Sequence, residues 1–244
     1  MSLSKSNQKL ITSLQQKKYR QKHKLFVAEG IKVVSELLSS RVEAYHVFIV
    51  DTAFEVPEDV NFTIISEFEL KKISTLKNPN KVLGVFKIPD IKKLESKGLI
   101  IVLDKVNDPG NLGTIIRLCD WFGVSELICS IDTVDCYNQK VVQSTMGSLT
   151  RVNILYTNLQ HFLTNTQLPI YVADMHGDNV YKTALPQNAV LVMGNEANGV
   201  SDEVIAIVKN KLTIPRFGNI QQTESLNVAT ATAILLSEFK RGLE

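Results

Sequence analysis

Five polar residues, Asn111, Arg117, Glu196, Ser225 and Asn227, stand where apolar runs give way to turns or to the start of a helix. An arginine, a carboxylate, two carboxamides and a hydroxyl can bind polar groups and stabilise charge. An arginine side chain, protonated throughout the physiological range, is a reluctant base. Taken singly, each residue has an ordinary structural explanation. Asn111 suits a turn, Arg117 a helix surface and Glu196 a loop, while Ser225 reads as a helix N-cap and Asn227 as a first-turn polar residue. What gathers them is the run Leu191–Met193, which breaks abruptly into Gly194-Asn195-Glu196-Ala197-Asn198-Gly199. A buried strand that stops at such a turn puts polar groups at its carboxyl end, where open α/β sheets bind ligands.

Other chemistries lack their residues. There is no G-x-G-x-x-G after the first strand of either half, no phosphate-binding G-x-x-x-x-G-K-[ST], no H-E-x-x-H and no G-x-S-x-G. The four histidines, His23, His46, His161 and His176, show no metal-ligand spacing, so no metal is expected. Cys119, Cys129 and Cys136 are odd in number and lack zinc spacing. They read as reduced thiols of a cytoplasmic protein, two of them in a core. No apolar run approaches the length of a membrane span, and residues 1–7 lack the apolar stretch of a signal peptide. The formal net charge is only +2 over 244 residues, so bulk electrostatics does not demand a nucleic-acid partner.

The elements that must position the five residues follow a βα alternation. Leu99–Leu103 is a continuous apolar run ending in Asp104, the pattern of a central parallel strand. Asn107–Arg117 is a turn-rich stretch feeding a helix through Trp121. Further strands are expected at 126–129, 151–155, 170–174, 189–193 and 211–214. Helices are expected at 139–145, 159–164, 201–209 and from about Ser225 to Lys240. This alternation indicates an α/β domain with a doubly wound, mostly parallel sheet over 99–244. Leu226, Ala229, Ala233 and Leu236 give the last helix an apolar stripe rich in small residues.

Residues 1–90 read as a smaller α/β unit, and the mixture of Pro, charge and Gly around 91–98 reads as a linker. Short strands are expected at 26–29, 45–50, 62–65 and 82–88. A helix spans about 30–39, and the capping-box pattern Ser66-Glu67-Phe68-Glu69 opens another. In residues 7–24, Leu10, Ile11 and Leu14 fit one helical face, with Lys17, Lys18, Arg20, Lys22 and Lys24 largely outside it. A solvated helix face and a phosphate-contacting patch both fit that distribution.

Three ordered motifs now carry a specific resemblance. Asn111-Leu-Gly113-Thr-Ile-Ile-Arg117, Leu191-Val-Met-Gly194-Asn195-Glu196-Ala-Asn-Gly199, and Ile214-Pro215 followed by Ser225-Leu226-Asn227-Val228 resemble the SpoU (TrmH-type) RNA ribose 2′-O-methyltransferases of the SPOUT class. Lys18 through Gly30 resembles the L30e-like substrate-binding domain often fused to them. The resemblance implies a trefoil knot in the C-terminal domain and S-adenosylmethionine as cofactor. It assigns cofactor contacts to Leu191, Met193, Gly194, Asn195, Gly199, Ile214 and Leu226. Arg117, Asn111, Glu196, Ser225 and Asn227 become the catalytic set, with Glu196 orienting Arg117 or Asn111. Lys17, Lys18, Arg20, Lys22 and Lys24 become RNA contacts. It further implies a homodimer through the catalytic domain and a structured RNA substrate, 23S-type ribosomal RNA ahead of tRNA. The alternatives are a tRNA 2′-O-methyltransferase and a non-catalytic RNA-binding protein that keeps the fold. The stretch Arg216–Ser225 is slightly longer than the family pattern.

Overall fold

Where the sequence suggests one amphipathic helix at the N-terminus, the chain forms two. The structure, a computed structural model, describes residues 2–95, 97–218 and 225–241. Helix α1 (Lys5–Ser13) is capped by Ser4, whose side chain accepts from the amide of Asn7. Helix α2 (Lys17–His23) ends at Lys24 in the left-handed conformation, φ 53°. The break between them is held by Arg20. Its Nη1 donates to the carbonyls of Leu14 (2.8 Å) and Gln15 (2.9 Å), groups that the end of α1 leaves without helical partners. Its Nε and Nη2 donate to Asp135 Oδ2 at 3.0 and 2.5 Å. The Arg20 side chain is only 3% exposed, so this residue, expected in the basic patch, is instead a buried structural tie. Lys17, Lys18, Lys22 and Lys24 are exposed.

Strand β1 (Leu25–Glu29), helix α3 (Ile31–Leu38), strands β2 (Ala44–Ile49) and β3 (Phe62–Ile64), helix α4 (Glu67–Ile73) and strand β4 (Val82–Lys87) complete the first sheet and its cover. The order is β1-β4-β2-β3, with β4 antiparallel to β1 and β2, and β3 parallel to β2. Alternation along the strands sends side chains to two cores. Phe48, Leu83 and Val85 meet Ile11, Leu14, Leu70 and Ile73 on one face. Phe26, Val47, Ile49 and Phe86 meet Val33, Val34 and Leu37 on the other. The capping box at Ser66 is present in full, with Glu69 bonding back to the Ser66 amide.

The second sheet contains β5 (Leu99–Leu103), helix α5 (Pro109–Trp121), β6 (Glu126–Ser130), helix α6 (Gln139–Thr145), β7 (Asn153–Thr157), helix α7 (Leu159–Asn165), β8 (Ile170–Asn179), β9 (Ala189–Met193), helix α8 (Asp202–Ile205), β10 (Asn210–Thr213) and helix α9 (Val228–Lys240) in chain order. Its strands run β10-β8-β9-β5-β6-β7, and every pairing is parallel. Strands β5 and β9 are buried throughout, as their unbroken apolar runs require. Leu94, in the expected linker, packs into this unit's core, and Ser96 lies outside the described residues. All three cysteines are buried and none is in a disulfide, one more in the core than expected.

Compact packing divides the chain into residues 1–90 with 135–150, and residues 91–134 with 151–244. The β6–β7 connection, expected in the larger domain, therefore packs with the first unit. Val142, Tyr137, Met146 and Leu149 join the core around Phe26 and Phe86.

Three elements differ from their expected bounds by three residues or more. Helix α8 is a single turn rather than 201–209. Strand β8 continues through Met175-His-Gly-Asp-Asn179, a polar stretch, because β10 shifts register to pair Leu212 with Asp178 and Thr213 with Asn179. There the backbone of Lys211 and Leu212 passes so close to Gly177 that a Cβ would sit 2.5 Å from the Lys211 carbonyl carbon. Helix α9 starts at Val228, three residues later than expected.

Removing one partner of a buried, hydrogen-bonded ion pair leaves the other charge uncompensated. Arg20→Ala is expected to cost about 3–5 kcal/mol of unfolding free energy, and Lys22→Ala less than about 0.5 kcal/mol. Chemical denaturation checks both, and equal midpoints for the two variants would contradict the assignment.

Candidate active site at the ends of β5 and β9

The order of the second sheet reverses direction beside β5, and the carboxyl ends of β5 and β9 are therefore where an open α/β sheet binds ligands. Leu103 and Met193 are in register, and the Asp104 amide donates to the Met193 carbonyl at 2.9 Å. The buried Asp104 side chain then turns to the other end of the loop after β9. Its Oδ2 accepts from the Ser201 amide (2.8 Å) and hydroxyl (2.6 Å). Between those anchors the loop closes on itself. Asn195 and Gly199 exchange backbone hydrogen bonds at 2.8 and 2.9 Å, while Asn195 Oδ1 accepts from the amides of Ala197 and Asn198. Asn195 Nδ2 reaches the Lys105 carbonyl at 2.7 Å, tying this loop to the one after β5. A Cβ on Gly194 would lie 2.3 Å from the carbonyl carbon of Gly199, so only glycine fits the closure. Gly199 has φ 68°, which glycine adopts without strain.

This loop delivers Glu196, exposed, to the start of α5. Asp108 caps that helix by accepting from the Asn111 amide (2.8 Å), with Pro109 in the first turn. Asn111 is thereby fixed, and its carboxamide works in both directions. Nδ2 donates to Glu196 Oε1 at 2.6 Å, and Oδ1 accepts from Asn227 Nδ2 at 2.9 Å. Asn227 in turn spends its Oδ1 on the amides of Ala229 (3.0 Å) and Thr230 (3.3 Å), capping α9. One side-chain relay thus joins Glu196, Asn111 and Asn227 from three separate segments.

Two of the five residues stand outside that relay. Arg117 is exposed on α5, and six residues at about 100° each turn it roughly 120° from Asn111 and carry it about 9 Å along the axis. It makes no hydrogen bond with another described residue, whereas Glu196 is bonded to Asn111. Ser225 is exposed, two residues before the helix, and the N-cap is Asn227 instead. Among the expected cofactor contacts, Leu191 is fully buried inside β9, paired with Ile101 of β5 and Tyr171 of β8. Met193 is buried at the strand end, Gly194 and Ile214 are half-buried, and Leu226 is 49% exposed.

Sequence reasoning missed Asp104 and Ser201 as organisers of the loop. A carboxylate ending an unbroken apolar run was the available signal. Burial pushes the Cys119 thiol of α5 up to about 12, so this helix offers no thiolate at neutral pH. No group of three or more His, Cys, Asp or Glu among the described residues could hold a metal ion.

Residues 98–237 match the SpoU rRNA Methylase family, and residues 6–84 match the MRM3-like substrate binding domain. The chain belongs to the SpoU rRNA methylase family. It is 31% identical over 240 residues to the 23S rRNA (guanosine(2553)-2′-O)-methyltransferase RlmP of Bacillus subtilis, an alignment covering 91% of each chain. Among solved structures, a putative RNA methyltransferase of the TrmH family from Porphyromonas gingivalis superposes with a TM-score of 0.87 at 37% identity. That match covers 97% of this chain and 98% of the other. The AdoMet-bound rRNA methyltransferase of Sinorhizobium meliloti gives 0.85 at 29%, covering 100% and 98%. The parallel α/β sheet and the separate N-terminal substrate-binding domain are those of SpoU/TrmH proteins.

A methyl group at position 194 forces the loop after β9 open. Gly194→Ala is expected to lower stability by about 1–3 kcal/mol. Gly218→Ala, where no atom of the described residues lies within 4 Å of the new Cβ, should leave it unchanged. Matched denaturation curves decide this, and an equal response at both positions would contradict the packing described.

Proposed function

We propose that this chain is an S-adenosylmethionine-dependent methyltransferase that modifies a ribose 2′-hydroxyl of ribosomal RNA. The observation that carries the reading is the Glu196–Asn111–Asn227 relay, which gathers the three SpoU motif segments at the crevice of a parallel sheet. Ribosomal RNA is favoured over tRNA by the match of residues 6–84 to a substrate-binding domain and by the activity that names the B. subtilis relative. That substrate puts the protein where ribosomes are made, in the cytoplasm. Among the described residues no helix is long and apolar enough to cross a membrane.

The residues present suit an adenosyl group. Its flat base needs apolar walls, and Leu226, half in solvent, and Ile214 supply them. Gly194, whose missing side chain lets the backbone of Gly199 close against it, keeps the loop that would hold the ligand compact. Met193, Gly194, Asn195 and Gly199 then make the polar edge, and Leu191 supports from within β9. The trefoil knot belongs to the same proposal. It is supported by β10 ending at the sheet edge while the next helix, α9, packs on α5. Residues 219–224 of that connection lie outside the described residues.

When bound, S-adenosylmethionine supplies a methyl group on a positively charged sulfur. The protein's task is to bring the 2′-oxygen into line and stabilise the charge that grows on it as its proton departs. Arg117, permanently charged, stabilises that oxygen or anchors the adjoining phosphate. Glu196, held by Asn111, is a carboxylate placed to accept a hydrogen bond from the ribose. Ser225, exposed beside Asn227 and making no hydrogen bond with another described residue, is placed to bond the RNA. Lys17, Lys18, Lys22 and Lys24 supply phosphate contacts on the first unit.

Arg117 stands outside its own protomer's relay on a solvent-facing stripe of α5 with Thr114 and Trp121, the last 84% exposed. A large aromatic in water beside an unpaired arginine suits a homodimer interface. The partly exposed small residues Ala231 and Ala233 of α9, which packs on α5, would extend it. Arg117 would then serve the second copy's site.

The test is transfer of labelled methyl to unmodified ribosomal RNA and, separately, to tRNA. Label is expected in ribosomal RNA. Arg117→Ala should lower the rate about 100-fold or more while cofactor affinity stays within about twofold. Mixing Arg117→Ala with Asn111→Ala should restore roughly a quarter of the wild-type rate, through dimers with one intact site. Label confined to tRNA overturns the substrate assignment. No recovery on mixing overturns the shared site.

A further inference from the structure

The first unit contains a cleft of about 350 Å³ that the methyl-transfer site does not use. Its size is at the small end of ligand cavities, which run from about 300 to 1,000 Å³. Val27 and Leu76 give it apolar surface, and Glu29, Thr75, Gln139 and Lys140 give it polar groups. Glu29 is only 4% exposed and rigidly held. Its Oε1 accepts from the amide (3.0 Å) and hydroxyl (2.8 Å) of Thr75, and its Oε2 accepts from the Ser74 hydroxyl. A carboxylate offers about four acceptor positions, and these donors fill three. One acceptor position on Oε2 is left over at the cleft. Gln139 lines the same cleft, and its Nε2 is buried with no hydrogen-bond partner among the described residues. An unsatisfied buried donor is rare in a folded protein and marks a place where another group is needed. Lys140, exposed at the rim, makes no ion pair with another described residue.

One spare acceptor, one spare buried donor, apolar walls and a cation at the mouth form a recognisable set. The edge of an unstacked nucleobase presents a donor beside an acceptor, its faces are apolar, and its nucleotide carries a phosphate. Proteins read RNA sequence at such splayed bases and not inside its duplexes. We propose that this cleft takes one unstacked base of the RNA substrate. Gln139 donates to the base edge, Glu29 accepts from it, Leu76 and Val27 cover it, and Lys140 meets the phosphate. One wall of the cleft comes from residues 138–144, inside the β6–β7 connection of the second sheet. The base is therefore captured by a segment that the substrate-binding domain alone does not contain. The inference rests on the reading of the chain as an RNA methyltransferase.

The test uses the full chain, an unmodified 23S ribosomal RNA transcript and a fully paired RNA duplex, with binding measured in the absence of cofactor. Gln139→Ala removes the donor, and Leu76→Trp fills the cleft. Both are expected to weaken transcript binding about 10-fold, a 1.4 kcal/mol change. They should leave duplex binding, cofactor affinity and kcat unchanged while raising KM. Variants that bind the transcript as the wild type does, or that lose duplex binding equally, overturn the base site. If those variants match a wild type that methylates ribosomal RNA, only this proposal falls. A wild type that neither binds nor methylates the transcript overturns it together with the functional reading.

Discussion

The candidate site depends on one carboxamide making two opposite hydrogen bonds. Asn111 donates to Glu196 and accepts from Asn227, and only an amide side chain can do both at that reach. The direction of each bond is fixed by its far end. Asn227 has committed its oxygen to the first amides of α9, so it must offer its nitrogen to Asn111. Asn111 must then answer with its oxygen, which leaves its nitrogen for the carboxylate of Glu196. Aspartate at either amide position would set two acceptors facing each other. The orientation of three segments is thus written into the polarity of one chain of hydrogen bonds, all of them at the surface where a substrate can meet them.

What makes those surface bonds persistent lies beneath them. Strands β5 and β9 are apolar throughout and pair with neighbours on both sides, so their ends cannot shift independently. Asp104, buried at that boundary, grips the far end of the loop after β9 through Ser201, while Asn195 ties its near end to Lys105. The buried Asp104 carboxylate is matched by two donors from Ser201, which offsets the cost of burying it. The first unit uses the same device in Arg20, which satisfies the carbonyl end of α1 and Asp135 together.

Much of this was legible in the sequence, and what was not has definite causes. Unbroken apolar runs gave β5 and β9 their observed limits, because a strand covered on both faces needs no polar alternation. The capping box at Ser66 and Glu69 announced α4 for the same local reason. The motif spacing identified Asn111, Glu196 and Asn227 as a group. It did not reveal that Arg117 faces another way, because only helical phase within the folded unit does that. Arg20 was misread because a cation among lysines carries no mark of burial. Its partners, Asp135 and two carbonyls, are set by tertiary structure. Residues 175–179 lie beyond the strand expected at 170–174, and they become strand because β10 shifts register to pair with them. Ser225 yielded its capping role to Asn227 because two residues compete for one helix start and the local sequence favours either.

The most direct test of the account is a double-mutant cycle on Asn111 and Asn227, read as S-adenosylmethionine affinity by calorimetry. If the relay holds the three segments as one unit, Asn111→Ala and Asn227→Ala each weaken binding. The double variant is then little worse than the more damaging single, a coupling of about 1–3 kcal/mol. If the two losses instead add to within about 0.3 kcal/mol, the residues act independently and the relay does not organise the site.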